Sequence, residues 1–200
     1  MIDPKNITKY DQTTKELEEF ILFWVCAAGK NAQNAAKGLD KLLRITDASS
    51  PFEKIKKLSG SENSPNLLGV SYLAYVLKQC GIGCYNQKAR TFLELAYFGL
   101  NLHTCSAQEL ETITGIGMKT SRCFILHSRQ NAQYAGLDVH ILRYLGNLGY
   151  DVPKQTPAKK KYLQLEEIFL RIAKENGLSP ADLDLMIWKQ YSSKTKEKVK

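Results

Sequence analysis

The stretch Ser106–Tyr150, SAQELETITGIGMKTSRCFILHSRQNAQYAGLDVHILRYLGNLGY, decides how the rest of the chain is read. Ser106 with Glu109 three residues on is a capping box, and Leu110 and Ile113 continue a short helix behind it. Thr114-Gly115-Ile116-Gly117-Met118 follows. Two glycines around one aliphatic residue permit positive φ and a very tight reversal, with Ile116 plugging the space between the flanking helices. A second helix begins at once and runs through Ser121–His127, so the segment reads as two helices joined by a hairpin at about 106–128.

Outward from it the same period recurs. Thr13 and Glu16 form another capping box, ahead of a stripe of Leu17, Phe20, Ile21 and Trp24 that Gly29 ends. Helical spacing returns at 67–77, 89–98, 141–148 and 162–172, and alternation of period two is hard to find, so the fold class is all-α. Ser49-Ser50-Pro51, Gly60–Pro65, Gly81-Ile82-Gly83 and Asp151–Pro157 read as turns or loops. Ser179-Pro180 reads as N-cap and first residue of a last helix carrying Leu183, Asp184, Ile187 and Trp188. The Lys-rich tail Ser192–Lys200 lacks apolar periodicity, and is expected either to be disordered or to lie against a phosphate backbone.

The chain has 200 residues with 44% hydrophobic side chains, enough for one compact unit or two small lobes. Lys and Arg number 28 against 20 Asp and Glu, giving +8 and a pI near 9.2, a balance that suits polyanionic partners. The longest apolar run, Phe20–Ala28, is far short of the roughly 20 residues a membrane span needs, and no signal peptide is evident. A soluble, intracellular protein without a membrane partner is expected. Cys26, Cys80, Cys84, Cys105 and Cys123 are scattered without a CxxC pair, so neither a disulfide framework nor a metal site is expected.

The hairpin's backbone N–H groups and the new helix N-terminus, with Gly115, Gly117 and Thr120, form a candidate site for one DNA phosphate. Lys119 sits in the first turn of that second helix, where the helix dipole disfavours its charge. It reads either as a lysine contacting phosphate or as a nucleophilic amine. Asp138, nineteen residues later, heads Asp138-Val139-His140-Ile141-Leu142-Arg143. It reads as an N-cap, as a catalytic carboxylate held rigid by capping, or both. His140 and Arg143 are candidates for adjacent phosphates or for an ordinary helix surface, and Lys159–Lys161 reads as a solvated run.

From Leu110 to Gly146 the sequence resembles the helix-hairpin-helix DNA glycosylases, whose pattern is GVG-x-K followed by (V/L)DxHxxR. Lys119 matches the lysine of the bifunctional members and Asp138 their catalytic aspartate. The interval between them is like that of the 8-oxoguanine glycosylases and one longer than is usual in endonuclease III-like enzymes; adenine glycosylases lack the lysine. Gly83-Cys84-Tyr85-Asn86-Gln87-Lys88-Ala89 resembles the family's G-x-Y-x-x-K-A helix start. Ala28-Gly29-Lys30-Asn31-Ala32 and the C-terminal Leu183-Asp184-Leu185-x-Ile187-Trp188 resemble the short archaeal-type 8-oxoguanine glycosylases.

The resemblance implies two helical lobes, 27–128 and 1–26 plus 129–200, with Lys119 facing Asp138 across a DNA-binding cleft. It also implies a monomeric glycosylase and lyase without cofactor that excises 8-oxoguanine from double-stranded DNA through a Lys119 Schiff base. Asp184 and Trp188 would contact the lesion base; read as residues alone, they are a helix-surface or capping carboxylate and a core indole. Lys30 and Asn31 would approach DNA, but Gly-Lys-Asn stands where many members carry Gln. Which residue fills the space left by a flipped base therefore stays open. The rival readings are an oxidised-pyrimidine glycosylase like endonuclease III and a non-catalytic DNA-binding module.

Overall fold

The computed structural model describes residues 1–60 and 67–197. Among them are ten helices and no strand: α1 Thr14–Ala27, α2 Ala32–Leu43, α3 Pro51–Leu58, α4 Leu67–Gln79, α5 Tyr85–Phe98, α6 Ala107–Glu111, α7 Met118–Ser128, α8 Val139–Asn147, α9 Lys159–Glu175 and α10 Pro180–Glu197. The loop read at Gly60–Pro65 lies, beyond Gly60, outside the described residues. Among the described residues no helix is long and apolar enough to cross a membrane.

The chain divides into two compact units. The first comprises Met1–Ile7 and Asp11–Ser121, the second Thr8–Tyr10 and Arg122 onward. The N-terminal helix therefore belongs to the first unit, where the sequence suggested the second, and the division falls within α7 rather than after it. The cause is burial: Phe20 through Ala27 are all buried, so α1 uses its whole circumference rather than one stripe. It packs on α2, α3 and α5, and the buried side chains of these helices include Phe23, Leu39, Leu42, Ile55 and Phe92.

The Thr13 capping box forms, with Thr13 N donating to Glu16 Oε2 at 2.8 Å. At the other end α1 has no basic residue in its last turn, and the buried Lys88 of α5 supplies the charge instead. Its Nζ donates at 2.7 Å to the carbonyl of Cys26, where the helix dipole favours a cation. Burial pulls the Lys88 ammonium below its ordinary range and pushes the Cys26 thiol up to about 12.

Two helices escape the sequence reading. Helix α2 buries Ala35, Ala36 and Gly38 beside Leu39 and Leu42, so its inner face is made of small residues. A Cβ at Gly38 would meet Ile82 Cγ1 at 2.9 Å, which is why the face is small. Helix α3 starts where a turn was expected: Ser50 is its N-cap, accepting from Glu53 N, and Pro51 its first residue. Of the C-terminal tail, the part up to Glu197 continues α10, and 198–200 lie outside the described residues.

The second unit packs α8 and α9 against α10. The buried Arg122 pairs with Glu166 at 3.1 Å and lies over the rings of Tyr134 and Tyr162, 5.5 and 5.1 Å from their centroids. Ser179 caps α10 as expected, its Oγ accepting from Asp182 N at 3.1 Å.

Candidate active site

The hairpin is built as the glycine spacing suggested, with one difference. The Ser106 capping box starts α6, and Gly115 has φ +89°, a conformation that favours glycine. A Cβ there would also collide with Thr91 Oγ1. Gly117, by contrast, is absent from the positive-φ positions, and a Cβ on it would project into open space. Ile113 and Ile116 are buried beneath the turn.

Helix α5 holds the hairpin in place. Thr91 Oγ1 donates at 2.7 Å to the carbonyl of Thr114, and Thr114 N donates at 3.1 Å to Glu94 Oε2. Ser121 Oγ donates at 2.8 Å to Glu111 Oε1, which ties α7 to the end of α6. These supports of the hairpin escape sequence reading, because each partner lies on another element.

Lys119 is the second residue of α7 and half-buried, and its Nζ lies 5.6 Å from the centre of the Trp24 ring. Trp24 is held edge-on to Phe20 and Phe23, with centroids 5.8 and 5.4 Å away. The amine thus rests on a rigid aromatic wall supplied by α1.

Asp138 caps α8. Its Oδ1 accepts from the backbone N–H of His140 at 2.8 Å and of Ile141 at 2.9 Å. The strand of coil leading to it is fixed from α9: Glu166 Oε1 accepts from Ala135 N at 2.9 Å, while Tyr162 Oη donates to the Ala135 carbonyl and accepts from Leu137 N, at 2.7 and 3.1 Å. Nothing local in sequence announces that Tyr162 and Glu166 hold the coil before Asp138.

The other candidates are placed as follows. Asp184 and Trp188 lie one turn apart on α10, both half-buried, and Asp184 Oδ2 is 3.2 Å from His127 Nε2. Asn31 caps α2 by accepting from Asn34 N at 3.1 Å. Lys30 is exposed, with its chain lying over Gly83. Gly115, Gly117 and Arg143 are exposed and His140 is half-buried, whereas Thr120 is buried, which leaves its backbone rather than its hydroxyl to meet a ligand. None of the five cysteines is in a disulfide, and no group of His, Cys, Asp or Glu among the described residues could hold a metal.

A capped helix, a glycine hairpin and a lysine in the first turn that follows define a helix-hairpin-helix protein. The family model described as 8-oxoguanine DNA glycosylase matches residues 4–178, and the chain belongs to that family.

The 8-oxoguanine DNA glycosylase/AP lyase of Thermoplasma volcanium is 39% identical over 79 residues, 40% of this chain and 37% of that protein. The relative of the same description in Metallosphaera sedula is 31% identical over 129 residues, 60% of this chain and 63% of the relative. The matches to curated relatives thus span between about a third and two thirds of their length.

Among solved structures, the 8-oxoguanine DNA glycosylase of Thermotoga maritima shares the fold with a TM-score of 0.68 at 22% identity, over 90% of this chain and 82% of that one. Methanocaldococcus jannaschii 8-oxoguanine glycosylase/lyase, in complex with a 15mer DNA containing 8-oxoguanine, gives 0.64 at 23% over 92% and 84%. A trapped endonuclease III–DNA covalent intermediate gives 0.61 at 16% over 90% and 77%, so the fold by itself does not choose the lesion.

Proposed function

We propose that this chain is a bifunctional DNA N-glycosylase and AP lyase that excises 8-oxoguanine from duplex DNA in base excision repair. The single observation carrying the reading is Lys119. It stands in the first turn after the glycine hairpin and against Trp24, within a sequence that belongs to the 8-oxoguanine glycosylase family.

In this reaction the target nucleotide leaves the stack, because its C1′ is out of reach inside a duplex, at a cost of a few kcal/mol. The hairpin backbone at Gly115 and Gly117, with the net positive charge of the chain, holds phosphates while this happens. Asp184 and Trp188 receive the lesion base, and His140, Arg143, Lys30 and Asn31 meet the backbone around it.

Lys119 as the neutral amine then attacks C1′. A C–N bond to the lysine forms, the N-glycosidic bond breaks, and the base departs with the bonding electrons and takes up a proton. Asp138 stabilises positive charge on the sugar and accepts the proton that the amine sheds. Opening of the sugar ring gives the imine; loss of a C2′ proton expels the 3′ phosphate, and water releases the enzyme. No step calls on a cofactor.

The test is a substrate panel under single-turnover conditions, with duplexes carrying 8-oxoguanine, an oxidised pyrimidine or an abasic site. Faster release of 8-oxoguanine than of the pyrimidine, lost in Asp138→Asn, is expected. Preference for the pyrimidine moves the protein to an endonuclease III-like role, and unchanged cleavage in Asp138→Asn reduces that residue to a cap.

A further inference from the structure

His127, in the last turn of α7, has no part in the reaction above, yet it is fully buried in the second unit. Its Nδ1 lies 2.8 Å from Thr8 Oγ1 and its Nε2 3.2 Å from Asp184 Oδ2. The backbone closes the same junction, since Lys9 N donates to the His127 carbonyl at 3.0 Å. A short N-terminal segment, Thr8–Tyr10, is thereby pinned beside the end of α7, bringing a hydroxyl from near the start of the chain to the imidazole.

The chemistry of the three groups leaves little freedom. An ionised carboxylate only accepts hydrogen bonds, so the nitrogen facing Asp184 must carry a proton. Thr8 serves either form of the ring that meets this condition: it donates to Nδ1 of the neutral imidazole or accepts from Nδ1–H of the imidazolium. Either way Nε2–H donates to Oδ2. Asp184 keeps 15% of its side chain accessible, and no other hydrogen bond engages it among the described residues. One oxygen is held from behind, and the other remains for a donor arriving from outside.

We infer that His127, set by Thr8, is a positioning residue for Asp184: it fixes the rotamer of that carboxylate so that its second oxygen meets a donor edge of the excised base. The inference rests on the reading of Asp184 as a base contact. It gives the chain a recognition element made of Thr8, His127 and Asp184, assembled from three places in the sequence. Base recognition is needed to release a base and is not needed to cleave at a site that has already lost one, so the two reactions should respond differently.

The experiment measures single-turnover release of 8-oxoguanine and strand cleavage of a duplex with a pre-formed abasic site. The proteins are wild type, His127→Leu, His127→Gln, Thr8→Val and the pair His127→Leu with Asp184→Asn. In His127→Leu base release should fall about tenfold or more, since a half-buried carboxylate loses its donor. Abasic cleavage should stay within about twofold of wild type, as it draws on Lys119 and Asp138 alone. His127→Gln, with an amide N–H near the position of Nε2, should recover most of the loss, and Thr8→Val should show part of it. In the Asp184→Asn background the His127→Leu change should cost little more, because its effect runs through that carboxylate.

Equal loss of both reactions in His127→Gln and Thr8→Val overturns the inference in favour of a structural histidine, and so does undiminished base release in His127→Leu. If His127→Leu does not fold, the other two variants decide. Wild-type protein that cleaves the abasic duplex but releases no 8-oxoguanine instead refutes the base-contact reading on which the inference stands.

Discussion

The Lys119 ammonium lies 5.6 Å from the centre of the Trp24 ring, so a residue near the start of the chain forms the wall beside the candidate nucleophile. A cation over an indole gains about 0.5–2 kcal/mol and, more to the point, is held in one place. Trp24→Phe keeps an aromatic face and should retain Schiff-base formation within a few-fold of wild type. Trp24→Leu removes the face; covalent trapping should fall about tenfold, and the unfolding free energy by about 2–4 kcal/mol. Equal trapping in Trp24→Phe and Trp24→Leu would show that the ring plays no part in placing the amine.

The two glycines of the hairpin should separate folding from binding. At Gly115, φ is +89° and a Cβ meets Thr91, so Gly115→Ala should destabilise the protein by about 1–3 kcal/mol. At Gly117 there is room for the methyl group, and Gly117→Ala should leave the melting temperature nearly unchanged. If the bare backbone there approaches a phosphate, that variant weakens duplex binding. Calorimetry and a binding titration on both variants check the contrast, and a large loss of stability in Gly117→Ala would contradict it.

Tyr162→Phe should leave the Ala135 carbonyl and the Leu137 N–H, both buried, without their phenol partner. The expected cost is about 1–3 kcal/mol of stability, read from chemical denaturation. Because this coil leads into Asp138, base release should fall as well, while Tyr150→Phe, whose phenol accepts from Arg171 instead, serves as control. Full activity in Tyr162→Phe would mean that capping alone positions the aspartate.

Alkaline pH should unfold the first unit partly through Cys26. The unfolded thiol ionises from its ordinary 9.0, whereas burial holds the folded one neutral to about 12, so the stability present below pH 9 is lost as the pH climbs between those values. The limiting slope is about 1.4 kcal/mol per pH unit. Lys88 acts the other way, because its folded-state value lies below 10.5 and the native state gains as pH rises toward it. Melting temperatures from pH 8.5 to 11, roughly the window these values set, should decline less steeply in Cys26→Ala than in wild type. Parallel declines would contradict the assignment.

Much of this architecture is legible in the sequence where interactions are local. Thr13 with Glu16, Ser106 with Glu109 and Ser179 with Pro180 announce helix starts, and the hairpin with Lys119 and Asp138 announces the candidate site. Helix α2 was hidden because Ala35, Ala36 and Gly38 make an inner face with little hydrophobic contrast. The membership of α1 escapes the sequence because an amphipathic stripe does not reveal that Phe20 through Ala27 are buried on every side. The supports of the site were invisible for another reason: Glu166 joins Arg122 and Ala135, and His127 joins Thr8 and Asp184, across separations that no periodicity records.

The reaction proposed for this chain requires Lys119 to form a covalent imine with the sugar of a damaged nucleotide. Protein mixed with a duplex containing one 8-oxoguanine and treated with borohydride should give a stable covalent complex. Lys119→Gln should bind the same duplex yet give no complex, no released base and no strand break. Trapping or strand cleavage that persists in Lys119→Gln, or wild-type protein that binds and never traps, would contradict the account.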